Sequence, residues 1–189
     1  MGNAIRITYF VHSTSVFNER KRLAGWYNTK LSDLGRKQAL ELGKLIANKK
    51  FDVVFCSDLD RALDTARTAF GGRFAIKMDK RLRECNYGDY AGSPISTVDD
   101  AKDPWFLDTP FPHGESYRDV EIRVKEFLKD LEKEWAGKRV AIVAHQAPQL
   151  VLEVLLNKKT WEEAIKTDWR HRGHKGWRPG WTYSLKLEA

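Results

Sequence analysis

The sequence predicts an α/β fold, a three-layer sandwich in which a mostly parallel sheet carries helices on both faces. Short runs rich in Val, Ile and Phe alternate along the chain with longer amphipathic stretches, the order of strands and helices typical of such folds. The 189 residues contain no internal repeat, linker or low-complexity tract, so we expect a single domain over residues 1–189.

Five apolar runs are predicted strands: residues 5–12, 51–57, 74–82, 139–145 and 181–187. Each is seven to nine residues long, mostly apolar, and bounded by turn-forming or charged residues. The third run is interrupted by lysine, aspartate and arginine, which is typical of a strand at the edge of a sheet.

Five amphipathic stretches are predicted helices: residues 34–48, 58–70, 116–135, 148–156 and 161–166. Ser32 or Asp33 is expected to cap the first, with Leu34, Leu42, Leu45 and Ile46 near one face. Ser116 and Asp119 resemble a capping box that opens the third, which carries the apolar stripe Val120, Val124, Phe127, Leu128, Leu131 and Trp135. Residues 93–112, which hold four prolines, are expected to be irregular.

Composition narrows the choice of partner. The formal net charge of +7 favours an anionic partner, and the basic residues accompany no nucleic-acid-binding module, so we expect a small anionic substrate. No apolar run approaches the roughly 18 residues needed to span a membrane. The two cysteines, Cys56 and Cys85, form no paired motif and are interpreted as reduced thiols of a cytoplasmic protein. The oligomeric state is not predicted.

Candidate functional residues collect where the predicted strands end. His12 ends the first strand and His145 the fourth, Arg61 follows the second by one helical turn, and Glu84 follows the third. A lone histidine at a strand end is more often structural, but two histidines that end two separate strands favour a functional role. In open α/β sheets the carboxyl ends of the strands form the ligand-binding edge.

This set of side chains suits phosphoryl transfer. A neutral, oriented histidine is a competent nucleophile, and an arginine together with a second, protonated histidine can neutralise the phosphoryl oxygens. A carboxylic acid can protonate the leaving oxygen. The histidines have no zinc-type spacing, so no metal or other cofactor is implied.

Six segments, in order, resemble the histidine phosphatase superfamily, in its phosphoglycerate mutase-like branch. They are YFVHSTSVFNE, RLAGWYNTKLSDLGRKQA, SDLDRALDTA, DKRLRECNYGDYAG, FPHGES and VAIVAHQAP, and together they cover nearly the whole chain. The resemblance implies that His12 is the nucleophile, that Arg61 and His145 bind the transferred phosphoryl group, and that Glu84 is the general acid and then the base.

The resemblance also implies roles at the pocket wall. Asn18 and Arg22 would line its mouth, Gln146 would contact a phosphate oxygen, and Glu115 would orient pocket groups. His113, His171 and His174 match no catalytic position.

Two positions depart from the family pattern. Val11 stands where the family has an arginine, and Ser13 stands where it has a glycine, although Ser13 also supplies a hydroxyl donor. We therefore expect a further cation to approach the phosphoryl site from elsewhere, with Arg22 or a residue of the 170–178 stretch as leading candidates. The C-terminal stretch 168–185 carries Trp169, Trp177 and Trp181, which are interpreted first as residues that pack on the sheet and alternatively as part of a tail that folds over the pocket and supplies cations to the substrate.

Three functions stay open at this point. The first is a phosphatase that hydrolyses a small phosphorylated metabolite. The second is a phosphoglycerate-type mutase, which in this family usually carries a longer lid insertion than residues 93–112 offer. The third is a protein that kept the fold and binds phosphate esters without turnover, for which the argument is Val11 together with Ser13.

Overall fold

The computed structural model describes residues 4–97, 105–170, 177 and 179–186. Its five-stranded sheet consists of β1 (Ile5–Val11), β2 (Val53–Cys56), β3 (Ile76–Met78), β4 (Arg139–Ala144) and β5 (Trp181–Leu185). The strand order is β3-β2-β4-β1-β5, and every neighbouring pair is parallel except β1 with β5. The prediction of a mostly parallel α/β sheet is confirmed, as is the edge position of the third strand.

Seven α-helices surround the sheet: α1 (Val16–Glu19), α2 (Asp33–Leu45), α3 (Asp60–Phe70), α4 (Trp105–Asp108), α5 (Tyr117–Glu134), α6 (Gln146–Asn157) and α7 (Trp161–Lys166) among the described residues. Ser116 and Asp119 form the predicted capping box at the start of α5, and Ser32 caps α2. Short 3₁₀ turns cover Lys80–Leu82, Gly88–Tyr90 and Ile95–Thr97.

Alternate residues of β1 point into two separate apolar layers. Tyr9 and Val11 pack in a cluster with residues of α5 and α6, whereas Phe10 packs with Leu42 of α2 and Phe70 of α3. The period-2 pattern of the strand therefore buries both faces of the sheet, as expected for a strand covered by helices on each side. These contacts form the three-layer sandwich that the sequence predicts.

The predicted apolar face of α2 is wrong at two of its four positions. Leu34 is 50% exposed and Leu45 is 62% exposed, whereas the predicted Leu42 and Ile46 are buried together with Gly35 and Ala39. The reason is a close approach of backbone to backbone: a Cβ added at Gly35 would lie 1.9 Å from the carbonyl oxygen of Thr14. The helix packs through its small residues, and the adjacent leucines are turned toward solvent.

Residues 93–112 are less irregular than predicted. The segment contains the 3₁₀ turn Ile95–Thr97 and helix α4, and residues 98–104 lie outside the described residues. The ring of Phe106 in α4 stacks on that of Phe111 with centroids 3.9 Å apart, so aromatic packing holds the helix on the core. Helix α6 also begins earlier than predicted, because Pro148 lies in its first turn, where no intrahelical N–H bond is lost.

The register of the sheet places the candidate site. Val11 of β1 pairs with Ala144 of β4, so His12 and His145 leave the sheet side by side. The backbone N–H of His12 donates to the carbonyl of Ala144 at 2.9 Å, which continues the ladder by one residue. The two histidines therefore meet at the carboxyl edge of the parallel strands.

Candidate active site

The structure brings together the four residues predicted to be catalytic. The rings of His12 and His145 have centroids 5.0 Å apart, and Nε of Arg61 lies 3.2 Å from Nε2 of His12. The carboxylate of Glu84 accepts hydrogen bonds from the two backbone N–H groups that follow His145. The set spans 133 positions of the sequence and converges at one edge of the sheet.

Two hydrogen bonds fix the tautomer of His12. Its Nδ1 lies 2.7 Å from the carbonyl oxygen of Ser13, which only accepts, so Nδ1 carries the proton. Its Nε2 accepts from Nε–H of Arg61, so Nε2 holds a lone pair. Burial, followed by the positive charge of Arg61, lowers the pKa of His12 to about 3. The imidazole is therefore neutral near pH 7.

Arg61 is almost fully buried in the first turn of α3, with 1% of its surface exposed. Its Nη2 donates to the carbonyl of Gly25 at 2.8 Å and its Nη1 to that of Tyr27 at 3.2 Å. Burial lowers its pKa to about 10, which leaves the guanidinium charged at neutral pH. The 25–27 loop thus orients this cation toward His12.

His145 is fully buried, and neither ring nitrogen has a hydrogen-bond partner among the described residues. Its backbone is held by one side chain, because the Tyr9 hydroxyl donates to the His145 carbonyl at 2.6 Å and accepts from its N–H at 3.0 Å. Burial, with the charge of Arg61 next, holds the pKa of His145 well below its ordinary value, so the expectation that the second histidine is protonated is wrong for this structure. Buried polar atoms without partners are rare and indicate a place for a ligand or water.

Glu84 lies at the amino-terminal end of α6. Its Oε1 accepts from the N–H of Cys85 at 3.0 Å and of Ala147 at 2.9 Å, and its Oε2 accepts from the N–H of Gln146 at 3.1 Å. Only 8% of the residue is exposed. Three backbone donors thus hold the carboxyl group of Glu84 beside the second histidine.

Glu115 supports the backbone around Glu84 indirectly, through Arg123. Its two oxygens bind Arg123 at 2.9 and 3.1 Å, and Arg123 in turn donates to the carbonyls of Arg81, Arg83 and Glu84. The ion pair therefore braces the backbone that carries Glu84. This geometry agrees with the predicted orienting role, which stays a prediction.

Two of the predicted substrate-binding residues lie beside the catalytic set. The N–H of Ser13 donates to Oγ1 of Thr65 at 3.0 Å, whereas its own buried hydroxyl has no partner among the described residues. Gln146 donates from Nε2 to Asp168 at 2.6 Å, and its N–H contacts Glu84.

Asn18 and Arg22 lie in the segment that follows His12, Asn18 within α1 and Arg22 just after it. Asn18 accepts from the N–H and hydroxyl of Ser15 and so caps α1, and Arg22 donates to the carbonyl of Gly92. Within the described part of the chain, no hydrogen bond joins either residue to the four catalytic candidates. Their assignment to the pocket mouth stays a prediction.

The sequence analysis missed several residues that build the site. Tyr9 and Arg123 position His145 and Glu84, and Nε1 of Trp177 lies 3.2 Å from the carbonyls of both Val11 and His12. A tyrosine in a buried strand needs a hydrogen-bond partner for its hydroxyl, so the sequence could have indicated a positioning role for Tyr9. Trp177 was expected to pack on the sheet or to lie over the pocket, but its contacts with Val11 and His12 could not be predicted, because they are more than 160 residues away in the sequence.

Val11 lies within the apolar cluster shared with α5 and α6 and is 7% exposed. His113 is exposed and pairs with Asp89 at 3.0 Å, away from the catalytic set, while His171 and His174 fall outside the described residues. In the described ranges no three His, Cys, Asp or Glu side chains group as they would around a metal ion. None of the described helices is long and apolar enough to cross a membrane.

Comparison with known proteins agrees with this geometry. Residues 10–173 match the family described as histidine phosphatase superfamily (branch 1). The chain belongs to the histidine phosphatase superfamily. The resemblance inferred from the six segments is thus confirmed.

Relatives within the superfamily include phosphatases and mutases. Glucosyl-3-phosphoglycerate phosphatase of Mycobacterium tuberculosis is 34% identical over 158 residues, covering 75% of this chain and 70% of that protein. The 2,3-bisphosphoglycerate-dependent phosphoglycerate mutase of Rhizobium meliloti is 32% identical over 173 residues, covering 82% and 81%. The structure of a mycobacterial glucosyl-3-phosphoglycerate phosphatase with VO₃ superposes with a TM-score of 0.73 at 29% identity, covering 85% and 86%. These matches support phosphatase or mutase activity for this superfamily member.

Proposed function

We propose that this protein is a metal-independent phosphatase that hydrolyses a small phosphorylated metabolite through a phosphohistidine at His12. The observation that carries the proposal is the tautomer of His12. Its proton is held on Nδ1 by the carbonyl of Ser13 and its low pKa keeps the imidazole neutral, so Nε2 holds a lone pair that becomes free when Arg61 turns its N–H from Nε2 to a phosphoryl oxygen. A neutral imidazole with one nitrogen fixed is the form that attacks phosphorus.

In the first step Nε2 of His12 forms a bond to phosphorus and the ester P–O bond breaks. The leaving oxygen takes the electron pair of that bond and a proton from the carboxylic acid form of Glu84. Arg61 and His145 bind the phosphoryl oxygens during transfer, and the buried ring nitrogens of His145 support that role.

In the second step water attacks the phosphohistidine and the P–N bond breaks, which returns neutral His12. Glu84 takes a proton from the attacking water, so it leaves the cycle in the protonated state that the next turnover needs. The three N–H donors around Glu84 suit the carboxylate that this step requires. Phosphate then leaves the site.

The surrounding residues complete the proposal. We assign Ser13 and Gln146 to the phosphoryl oxygens, Asn18 and Arg22 to the pocket mouth, and Glu115 to the support of Glu84. The net charge of +7 suits an anionic metabolite, and a single domain over residues 1–189 suffices for the chemistry. The two buried cysteines, neither of them in a disulfide, suit a cytoplasmic location.

A second candidate is a mutase, in which the phosphoryl group passes from His12 to a hydroxyl of the substrate instead of water. The observation in its favour is the Rhizobium relative, a mutase that matches 82% of this chain at 32% identity. Both candidates share the first step and differ only in the acceptor.

The test is hydrolysis of p-nitrophenyl phosphate and a panel of phosphorylated metabolites, with and without EDTA. We expect phosphate release that the chelator leaves unchanged. Activity that disappears with EDTA and returns with a divalent cation contradicts metal independence. Interconversion of 2- and 3-phosphoglycerate faster than phosphate release identifies the mutase, and anion binding without turnover identifies the non-enzymatic alternative.

A further inference from the structure

The four proposed catalytic residues are short of positive charge. A phosphate monoester carries close to two negative charges at neutral pH, and Glu84 adds another when ionised. His12 and His145 are both neutral there, because burial lowers their pKa values. Arg61 is the one cation of the four, and it already donates to His12, Gly25 and Tyr27. A second cation near the phosphoryl group would offset this imbalance.

Arg170 is fixed against the first turn of α6, the helix whose amino-terminal cap is His145. Its Nη2 donates to Oε1 of Gln149 at 3.0 Å, and its Nη1 contacts both carboxylate oxygens of Asp168 at 2.9 and 3.0 Å. The same carboxylate accepts from Nε2 of Gln146, the residue that follows His145. Arg170 is therefore tied to the turn that carries the second histidine.

The positive charge of Arg170 acts on the end of β1. It is among the causes that lower the pKa of His12, after burial and Arg61, and it offsets part of the rise that burial causes in the pKa of Tyr9. Coulombic interactions weaken with distance and with solvent screening, and they act further through a protein interior than through water. The charge of Arg170 thus reaches the catalytic edge of the sheet.

The guanidinium is held in place and retains a donor. Asp168 is buried, with 1% of its side chain exposed, whereas the side chain of Arg170 is 20% exposed. The guanidinium also lies 4.8 Å above the ring of Trp169. In the described ranges its Nε–H has no acceptor. Since Asp168 and Gln149 engage Nη1 and Nη2, the Nε–H of this guanidinium is the donor that can make a charge-assisted hydrogen bond to a phosphoryl oxygen.

We propose that Arg170 is a second phosphoryl-binding cation of this site, positioned by Asp168 and Gln149. The proposal rests on the function proposed above, because it assigns Arg170 to the oxygens of the group transferred to His12. It makes the Asp168–Arg170 pair part of the substrate site. The alternative is that the pair only tethers the C-terminal segment to α6.

The experiment compares Arg170→Gln and Arg170→Lys with Arg73→Gln, an exposed arginine that also donates to carbonyl oxygens, those of Ile46 and Ala47. The substrate is p-nitrophenyl phosphate, whose only anionic group is the transferred one. We expect Arg170→Gln to lower kcat/KM by about 10²-fold, the usual effect of losing one donor to a transition state. Arg170→Lys should recover part of this loss, added guanidinium chloride should partly rescue Arg170→Gln at low denaturant concentration, and Arg73→Gln should be unchanged.

Two outcomes overturn the proposal. One is an Arg170→Gln enzyme within about threefold of wild type on p-nitrophenyl phosphate, below the donor effect quoted above. The other is a loss that appears only with esters that carry a second anionic group, which would place Arg170 at the leaving group. If Arg170→Gln lowers the unfolding temperature, and neither guanidinium nor Arg170→Lys restores activity, the Asp168–Arg170 pair only tethers the C-terminal segment to α6.

A binding measurement separates this proposal from the proposed function. Orthovanadate is titrated into wild type and Arg170→Gln by calorimetry, and the Nε–H signal of Arg170 is followed by NMR in the wild-type protein. Weaker binding in the variant and a shift of that signal support Arg170 even if no ester is hydrolysed. An unmoved Nε–H signal in a wild-type protein that binds orthovanadate contradicts it, including the case in which the variant does not fold.

Discussion

At the scale of single residues, the tautomer of His12 depends on two contacts, one local in the sequence and one long-range. The carbonyl of Ser13, which fixes the proton on Nδ1, comes from the next residue. Arg61, which contacts Nε2, comes from α3 and lies 49 positions away. A sequence pattern indicates that a histidine ends a strand, but the tautomer follows only when both contacts are present.

Glu84 gives the first residue-scale prediction. We expect Glu84→Gln to slow alkyl phosphates by about 10²–10⁴-fold, the usual contribution of general acid catalysis, and p-nitrophenyl phosphate far less. The physical reason is that p-nitrophenolate leaves without protonation, whereas an alkoxide does not. The measurement is kcat on both classes of ester.

The same substitution also changes the fold locally. One oxygen becomes an NH₂ group that faces a backbone N–H of Cys85, Gln146 or Ala147, so we expect about 1–3 kcal/mol less stability in urea unfolding. That loss is common to all substrates. Equal slowing of alkyl and aryl esters would therefore assign Glu84 a structural role.

The site residues that were predicted have local sequence patterns, whereas those that were missed depend on contacts between distant segments. His12, Arg61, Glu84 and His145 each stand at or near a predicted strand end, so local pattern and topology together place them. Arg123 supports Glu84 through carbonyl contacts 39 to 42 positions away, on a helix whose polar positions look alike in sequence. Such contacts arise only when the elements pack.

At the scale of elements, α2 is placed by one glycine. A Cβ at position 35 would lie 1.9 Å from the Thr14 carbonyl oxygen, and that oxygen accepts from the N–H of Ser32. We expect Gly35→Ala to force α2 away from the turn after His12 and to cost about 1–3 kcal/mol, the range for overpacking. Urea unfolding measures it.

Gly43 offers a matched control on the same helix. A Cβ there would lie 3.4 Å from the nearest atom, the carbonyl oxygen of Ala69, which is an ordinary contact. Gly43→Ala should therefore be neutral or slightly stabilising, because alanine favours a helix interior. A Gly35→Ala protein as stable as Gly43→Ala contradicts the close approach.

Elements with local signals were predicted well, and elements that depend on tertiary contacts were not. The prediction for α7 agrees with the observed Trp161–Lys166, because Thr160 and Glu163 form a capping box around an apolar start. Helix α1 was missed, since four residues carry too little periodicity. Helix α4 was missed because the stack of Phe106 on Phe111 holds it in place.

At the scale of the whole molecule, buried neutral histidines make stability depend on pH. The folded-state pKa values of His12 and His145 lie below the ordinary value, so the unfolded chain binds more protons as pH falls. Their contribution is complete above about pH 6.5 and is lost as pH falls, by up to ~1.4 kcal/mol per pH unit for each group, and for His12 the loss extends to about pH 3. We expect the free energy of unfolding to decrease between pH 6.5 and pH 5.

Urea unfolding at pH 7, 6 and 5 measures this decrease in wild type, His12→Gln and His113→Gln. His113 is exposed, so its variant should follow wild type, whereas His12→Gln should show a smaller slope. The carboxylates Asp52 and Asp58, whose pKa values are lowered, titrate below this window. A His12→Gln slope equal to that of wild type would show that His12 does not titrate as a buried base.

We propose that His12 carries the phosphoryl group during turnover. The direct measurement mixes the enzyme with a phosphate ester, quenches the reaction rapidly at alkaline pH, and locates the phosphoryl group by peptide mass spectrometry. We expect one acid-labile phosphoryl group on the peptide that contains His12. It should be absent from His12→Asn and present in His113→Asn. A phosphoryl group on any other residue, or turnover by His12→Asn at the wild-type rate, would contradict the account.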